Sequence, residues 1–254
     1  MRVGREEVRV AAPGALRDES AGERTIELRR CLDEEEVARA GADLVVAMLR
    51  AAIERRGRAV WIPSTGRTVV RCYDLLGCEY RRALDWKRVE VFQMDELADL
   101  RADRTSRHFL MHRLIEPMGI LRHTLMGDAS SATAARVERE LLARGPDLVL
   151  HGIGENGHLG LNEPGTPFDS LGREVAIHEE TRRAKGVSSS RGCTLGLGIL
   201  LGVPRTVLLV TGAHKRAALH GALFRPATPE SPASGLQLHG ATTVIADRAA
   251  LPSE

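Results

Sequence analysis

Aromatic residues are scarce in this chain of 254 amino acids: two Trp, two Tyr and four Phe make up 3%. Proteins that hold single-stranded nucleic acid stack its bases on aromatic faces, so this scarcity argues against such a platform. The charges nearly cancel, with 36 Lys and Arg against 34 Asp and Glu and a formal net charge of +2. A duplex-binding protein neutralises many phosphates, so we expect no nucleic-acid partner.

Long apolar runs are missing as well. No stretch approaches the ~18–20 apolar residues of a membrane helix, and the first ten residues, MRVGREEVRV, contain no apolar segment suited to a secretory signal. The four cysteines are widely spread without a C-x-x-C pair, which is typical of reduced thiols and not of a disulfide framework or a zinc site. We therefore expect a cytoplasmic protein with no membrane partner.

Lysine is the third scarce residue. Only 3 of the 36 basic residues are lysine, at Lys87, Lys185 and Lys215. Because a compact ammonium and a guanidinium fork are not interchangeable, a lysine kept in an arginine-rich chain is informative. Lys215 lies where an apolar run gives way to a predicted helix, which makes it a candidate for function. We assign no role to Lys87 and Lys185 and interpret them as surface residues.

Apolar runs and helical spacing alternate along the rest of the chain. Strands are predicted at 59–63, 89–94, 147–154, 206–212 and 242–247, and helices at about 33–56, from the turn at 64–68 to 76, at 106–117, at 131–144 and from 215. Continuous apolar strands alternating with helices predict a single α/β domain, with a mostly parallel sheet covered by helices on both faces. Residues 1–24 are charged without clear period and are predicted to be a loosely ordered lead-in to a domain over 25–254.

In such a sheet, ligands bind at the carboxyl ends of the strands. The first candidate is the turn after strand 59–63, where serine, threonine, glycine and arginine residues lead into a helix. Its residues are Ser64, Thr65, Gly66, Arg67 and Thr68. Backbone N–H groups at a helix N-terminus suit a phosphate monoester. An ordinary capping turn explains the same residues about equally well.

The second candidate is Asp95, which follows strand 89–94 together with Glu96. A carboxylate at the mouth of a site can act as a general base when burial and its neighbours set its pKa. The alternative is a pair of solvated loop acids, which these residues alone favour.

The third candidate is the segment HGIGENGHLGLNEP at 151–164. It formally matches the dinucleotide fingerprint, but Gly160 and Pro164 leave no room for the crossover helix which that fingerprint opens. The glycine density indicates instead a backbone wrapped closely around a small ligand. His158 and Glu163 can transfer protons there, and Asn156 can hydrogen-bond the imidazole.

Six sequence blocks, in one order over roughly residues 32–250, resemble the glucosamine-6-phosphate deaminase/isomerase family. They are STGRT (64–68), FQMDE (92–96), GIGENGHLGLNEPGTPFDS (152–170), EETR (179–182), TGAHK (211–215) and GLQLH (235–239). The resemblance implies a Rossmann-like α/β fold and conversion of an amino-sugar 6-phosphate, glucosamine 6-phosphate or an epimer, into a ketose 6-phosphate and ammonia. It implies no cofactor and no metal. The implied partner is a small-molecule sugar phosphate, and because hexamers and monomers both occur in the family, a homo-oligomer is left open.

The same resemblance assigns roles to residues of this chain. Asp95 would move the C2 proton to C1, His158 would help to open the pyranose ring, and Asn156 and Glu163 would flank that histidine. The implied phosphate and substrate contacts are Ser64, Thr65, Gly66, Arg67, Thr68, Gly152, Arg182 and Lys215. One carboxylate facing two adjacent carbons, with the phosphate fixed at a helix N-terminus, is the arrangement that such a proton transfer needs.

Two alternatives share the fold. The sister branch, 6-phosphogluconolactonase, carries Arg soon after the acids of the second block and has no acid matching Glu163, whereas this chain has Leu97 and keeps N-E-P. A sugar-phosphate-sensing domain of a transcription regulator need not keep both Asp95 and Glu163, and no helix-turn-helix pattern precedes the first block. Both comparisons favour the deaminase branch.

The chain departs from the family at several positions. Asn156 stands where some members have Asp, and Arg67 and Val69 stand where Gly and Pro are usual. An amide can orient His158 but cannot stabilise imidazolium by charge, so we expect a different pH dependence. The basic residue that allosteric members carry near Val175 is absent, so we expect no allosteric activation.

Overall fold

The computed structural model describes residues 4–9, 25–239 and 241–252. Its strands are β1 (Gly4–Arg9), β2 (Thr25–Cys31), β3 (Ala59–Ile62), β4 (Val89–Phe92), β5 (Asp95–Leu97), β6 (Arg122–Thr124), β7 (Leu148–Gly152), β8 (Arg173–Ala176), β9 (Arg191–Thr194), β10 (Thr206–Val210) and β11 (Thr242–Asp247). Its α-helices are α1 (Glu34–Arg56), α2 (Arg67–Cys78), α3 (Ser106–Leu110), α4 (Glu116–Met118), α5 (Ser131–Arg144), α6 (Glu179–Lys185), α7 (Leu197–Leu200) and α8 (Arg216–Phe224). A π-helical turn, Met111–Ile115, joins α3 to α4, and 3-10 turns lie at Trp86–Arg88, Ala102–Arg104, Ala213–Lys215 and Pro232–Leu238.

The main sheet has eight strands in the order β1-β2-β11-β10-β7-β3-β4-β6, of which all but β1 are parallel. Alternate side chains of its central strands face opposite helical layers. Trp61 and Leu150 pack with α1 and α2, whereas Val60 and Val149 pack with α5. The predicted α/β domain, a parallel sheet covered on both faces, is therefore confirmed.

Helix α1 shows how closely local chemistry sets an element's bounds. The Asp33 carboxylate accepts from the backbone N–H of Glu36 at 3.0 Å and caps the first turn. Three glutamates follow in that turn, where the helix dipole favours negative charge. Gly57 ends the helix in the left-handed region, with φ at 79°, and its N–H reaches the carbonyl of Ile53. The helix predicted at about 33–56 is confirmed.

The N-terminal part of the chain differs from its prediction. Gly4–Arg9 forms the edge strand β1, antiparallel to β2, within the segment predicted as a loose lead-in. Backbone hydrogen bonds can form a strand without alternating apolar side chains. The charged residues of this segment therefore did not predict one. Residues 1–3 and 10–24 of the predicted lead-in lie outside the described residues. Strand β2 was also missed, because its buried residues Ile26, Leu28 and Cys31 are separated by polar ones.

A second, antiparallel sheet of three strands, β5-β9-β8, covers the carboxyl-end side of the first. Its strands are short and polar, so neither length nor periodicity predicted them. Asp95 pairs with Thr194 at one end of this sheet. The acid expected in a loop after β4 is therefore the first residue of β5 and is held by a ladder.

The chain reverses direction across the main sheet between β3 and β7. After β3 it proceeds to β4 on one side, and after β7 it proceeds to β10 on the other. Neighbouring strands with oppositely directed connections open a crevice at their carboxyl ends. Within the described residues, no helix is long and apolar enough to cross a bilayer.

Strand β7 of this sheet contains a buried histidine without a hydrogen-bond partner among the described residues. His151, near the end of β7, is fully buried, and neither of its ring nitrogens forms a hydrogen bond in the described part of the chain. Burial, with a smaller contribution from His239, lowers its pKa from 6.5 to about 3. The imidazole is therefore neutral, and its two polar atoms lie in an apolar sheet.

We expect His151→Leu to raise the free energy of unfolding by about 1–3 kcal/mol at neutral pH, because leucine buries no unpartnered polar atom. The gain should grow in acid. Below pH 6.5 the unfolded wild-type chain binds a proton at this residue that the folded chain does not bind, since the folded pKa is about 3. That difference costs the wild type about 2 kcal/mol at about pH 5. Denaturant unfolding of both proteins at the two pH values measures both effects.

The exposed His123 provides the control. His123→Gln should unfold like the wild type at both pH values. An acid-induced loss of stability as large in His151→Leu as in the wild type would contradict the role given to His151.

Candidate active site

A cleft of about 810 Å³ opens at the carboxyl ends of β3, β7 and β10. Ten of the twelve residues predicted for the site line it: Ser64, Thr65, Gly66, Arg67, Thr68, Asp95, Gly152, Asn156, His158 and Lys215. Glu163 lies buried behind this wall and contacts its residues. Arg182 does not line the cleft.

The turn at 64–68 presents the start of α2 to the cleft. Gly66 is the N-cap residue and provides no side-chain cap, and the first turn of α2 contains no acid. The first N–H groups of this 12-residue helix are therefore left for an anion, which the helix dipole also favours. The Tyr73 hydroxyl donates to the carbonyl of Ser64 at 2.7 Å and holds the turn in place.

Asp95 is a carboxylate of the cleft wall that is connected to this turn through one hydroxyl. Its side chain is buried, with 5% of the residue exposed. Its Oδ1 lies 3.2 Å from Ser106 Oγ, which in turn lies 3.2 Å from Thr65 Oγ1. Burial raises the pKa of Asp95, while the Lys185 ammonium and the Ser106 hydroxyl lower it. A raised pKa is what a carboxylate general base needs near neutral pH.

The neighbouring Glu96 has a structural role. Its two carboxylate oxygens accept four hydrogen bonds of 2.9–3.0 Å, from the backbone N–H groups of Leu97, Ser106 and Arg107 and from the side-chain amide of Gln93. Three of those donors belong to the start of α3 and the end of β4. Burial nevertheless raises the pKa of Glu96, and Asp95 adds to the rise. The prediction that solvated loop acids are favoured at 95 and 96 is wrong for both residues.

His158 is held by an amide and a carboxylate. Asn156 Oδ1 lies 2.8 Å from His158 Nδ1, while Asn156 Nδ2 donates to Glu163 Oε2 at 2.8 Å. Thr181 Oγ1 donates to the same Glu163 oxygen at 3.0 Å and lies 3.2 Å from His158 Nδ1. Because the amide nitrogen faces the carboxylate, its oxygen faces the ring, so Nδ1 carries the hydrogen. Nε2 is then an unprotonated acceptor.

The charge of His158 follows from its surroundings. Burial, with smaller contributions from Lys185, Lys215 and His178, lowers its pKa from 6.5 to about 3. The ring is therefore neutral at physiological pH. It can accept a proton but does not present a fixed positive charge.

Lys215 lies at the end of a 3-10 turn after β10 and is half-buried in the cleft wall. Its pKa is lowered, first by burial; Glu155 opposes this, whereas Arg67 and Lys185 add to it. Arg67, Lys185 and Lys215 all line the cleft, and among the described residues none of the three forms an ion pair. These three cations without ion pairs lie in the same cleft as an uncovered helix N-terminus, and acidic residues, among them Glu155, line it as well.

Sequence reasoning missed three residues of this site. Lys185, interpreted as a surface residue, lines the cleft, and Ser106 and Thr181 join its polar groups. Nothing in the sequence indicated a role for Ser106 or Thr181, because single serines and threonines are common. Lys185 could have been predicted, because lysine is rare in this chain and the same argument had selected Lys215.

Comparisons with known proteins agree with this architecture. The profile of the family described as glucosamine-6-phosphate isomerases/6-phosphogluconolactonase matches residues 32–245. The glucosamine-6-phosphate deaminase of Streptomyces avermitilis is 32% identical over 234 residues, which cover 84% of this chain and 88% of that protein. The chain therefore belongs to the glucosamine-6-phosphate isomerase/6-phosphogluconolactonase family, and it is an enzyme of that family.

Solved structures of related enzymes have a similar fold. A monomeric glucosamine-6-phosphate deaminase aligns with a TM-score of 0.81 at 28% identity, covering 88% of this chain and 98% of that one. The 6-phosphogluconolactonase of Shewanella baltica aligns with a TM-score of 0.73 at 17% identity, covering 87% and 97%. The second likeness is one of fold alone.

The amide at Asn156 leads to a prediction about His158. Asn156→Asp should raise the pKa of His158 by about 1–3 units, because the new carboxylate stabilises imidazolium. NMR titration of the His158 ring resonances between about pH 4 and pH 8 measures the change. The wild-type ring should stay neutral throughout, whereas the variant should begin to titrate.

The ring resonances of the exposed His123 serve as a reference in the same spectra and should be the same in both proteins. A His158 ring that remains neutral over the whole range in the variant would show that the amide does not control its charge.

Proposed function

We propose that this enzyme is an amino-sugar-6-phosphate deaminase/isomerase that converts glucosamine 6-phosphate, or an epimer, into a ketose 6-phosphate and ammonia. For glucosamine 6-phosphate the ketose would be fructose 6-phosphate. One observation carries the proposal: a buried carboxylate, Asp95, and a neutral imidazole, His158, line the same cleft as the uncovered N-terminus of α2. The Streptomyces avermitilis relative, named for this reaction, supports it.

The phosphate would bind at the turn 64–68. Backbone N–H groups at the start of α2 donate to its oxygens, the hydroxyls of Thr65 and Thr68 add donors, and Lys215 supplies positive charge. Anchoring the phosphate fixes the sugar carbons relative to Asp95, which converts proton transfer into a step within one complex.

Ring opening comes first. Because Nε2 of His158 is an unprotonated acceptor, it can take the proton of the anomeric hydroxyl and deliver it to the ring oxygen as the bond from C1 to that oxygen breaks. Asn156 and Glu163 keep the acceptor nitrogen available by holding the hydrogen on Nδ1.

Isomerisation follows on the open chain. Asp95 removes the proton from C2 while the C1 oxygen takes a proton from the substrate's ammonium group, which gives an enol between C1 and C2, and Asp95 then returns its proton to C1. C1 is thereby reduced from aldehyde to hydroxymethyl, while C2 is oxidised to an imine. Water adds to the imine carbon and ammonia leaves, so the ketone at C2 gains its oxygen from water. Burial suits Asp95 to this shuttle because a raised pKa lets it both accept and return the proton.

Asp95→Asn should reduce ammonia release from glucosamine 6-phosphate by at least about a thousandfold, because the amide cannot accept the C2 proton. Binding of the sugar phosphate should stay near the wild-type affinity, because asparagine keeps the size of the side chain and the residue reaches the phosphate turn only through the Ser106 hydroxyl. A coupled ammonia assay and calorimetric titration measure the two quantities.

Asp99→Asn is a matched control. Asp99 is exposed and has a left-handed backbone, with φ at 56°, which asparagine also tolerates. The control should keep full activity, and retained turnover in Asp95→Asn would remove Asp95 from the role of base.

A substrate panel tests the reaction class. We expect ammonia release from glucosamine 6-phosphate, with galactosamine and mannosamine 6-phosphates as the epimers to be compared, and no hydrolysis of 6-phosphogluconolactone. Lactone hydrolysis without ammonia release would place the chain in the sister branch. Tight binding of sugar phosphates without either turnover would indicate a sensing module.

A further inference from the structure

Helix α6 presents a lysine to the cleft where the sequence motif leads one to expect an arginine. The motif EETR ends at Arg182, which does not line the cleft and whose Nε is buried without a hydrogen-bond partner among the described residues. Lys185, at the last position of α6, does line it. Arg183 lines the cleft as well, but it is paired with Glu179 on the same helix. Lys185 is therefore the cation of α6 that lines the cleft without an ion pair among the described residues.

Helix geometry explains which of the two side chains faces inward. Thr181 lies on the cleft side, since its hydroxyl contacts both Glu163 and His158. Lys185 is four residues further on and so shares that face, whereas Arg182 is one residue on and points about 100° away. Arg104 strengthens the placement, because its Nη2 donates to the carbonyl of Gly186 at 3.0 Å and ties down the end of α6.

Charge also indicates a ligand. Arg67 and Lys185 lie close enough to Lys215 to help lower its pKa, and the nearby Glu155 opposes them without forming an ion pair with any of the three among the described residues. Three cations that repel one another and form no ion pair among the described residues are stabilised together by a dianion. At neutral pH a phosphate monoester carries about two negative charges and three acceptor oxygens.

We propose that Lys185 is a substrate-binding residue whose ammonium, together with Lys215 and Arg67, contacts the phosphate of the substrate in the place that the motif gives to Arg182. This inference deepens the proposed function and rests on it for the identity of the sugar phosphate. It also predicts binding of inorganic phosphate, which needs no turnover.

The test compares lysine variants for inorganic phosphate affinity by calorimetry at constant ionic strength. Lys185→Met should weaken phosphate binding about tenfold or more, because a charge-assisted contact is lost, and Lys185→Arg should restore part of it. With glucosamine 6-phosphate, Lys185→Met should raise KM more than it lowers kcat. Lys87→Met is the control, since Lys87 is exposed and outside the cleft, and it should leave both measurements unchanged.

Arg182→Met tests the competing assignment. Loss of phosphate affinity in Arg182→Met, with Lys185→Met within twofold of the wild type, would overturn the proposal. A wild-type enzyme that releases no ammonia would overturn the proposed function, whereas the phosphate affinities would still decide the role of Lys185.

A second measurement needs no variant. Pyridoxal 5′-phosphate, an aldehyde that carries a phosphate monoester, condenses with lysine amines, and borohydride reduction makes the label permanent for peptide mapping. Inorganic phosphate should protect Lys185 and Lys215 from labelling and leave Lys87 unprotected. Labelling of Lys185 that phosphate does not reduce would contradict its place in the phosphate site.

Discussion

The carboxylate of Glu96 is the interaction on which the rest of the cleft depends. A buried carboxylate is costly unless its acceptors are satisfied, and Glu96 accepts four hydrogen bonds from three different segments of the chain. Those bonds place Ser106 at the start of α3, where its hydroxyl lies between Asp95 and Thr65. One carboxylate thus sets the distance between the proposed base and the proposed phosphate turn.

A neutral amide plays the corresponding part on the other side of the cleft. Asn156 offers its nitrogen to Glu163 and its oxygen to His158, so a single side chain satisfies an acceptor and a donor. A second carboxylate at that position would lie 2.8 Å from the first and would favour a charged ring between them. With the amide, the cleft keeps a neutral His158, whose Nε2 is an acceptor. The chemistry proposed for ring opening needs that acceptor at the start of the reaction.

The sequence predicted the parts of this fold that depend on local pattern. Continuous apolar runs gave β3, β7 and β11, and caps at Asp33 and Gly57 gave the bounds of α1. The second sheet was not predicted because its strands are short and polar. Leu97 of β5 is buried against Leu161 and Ile177, in a small cluster that only the tertiary fold assembles. That sheet buries Asp95, so the residue type of the proposed base was predictable from sequence while its environment was not.

Helix α6 is a second case in which the sequence did not predict the environment of a residue. The segment EETRRAK contains five charged residues in seven, a composition typical of a solvated helix, and nothing in it marks an inward face. The face is set by Thr181, whose hydroxyl contacts the pair formed by Glu163 and His158. Once that contact is known, the i, i+4 relation brings Lys185 to the cleft and turns Arg182 aside. A sequence motif gives the residue type at a position. Which side chain of α6 faces the cleft depends on how the helix packs against the rest of the protein.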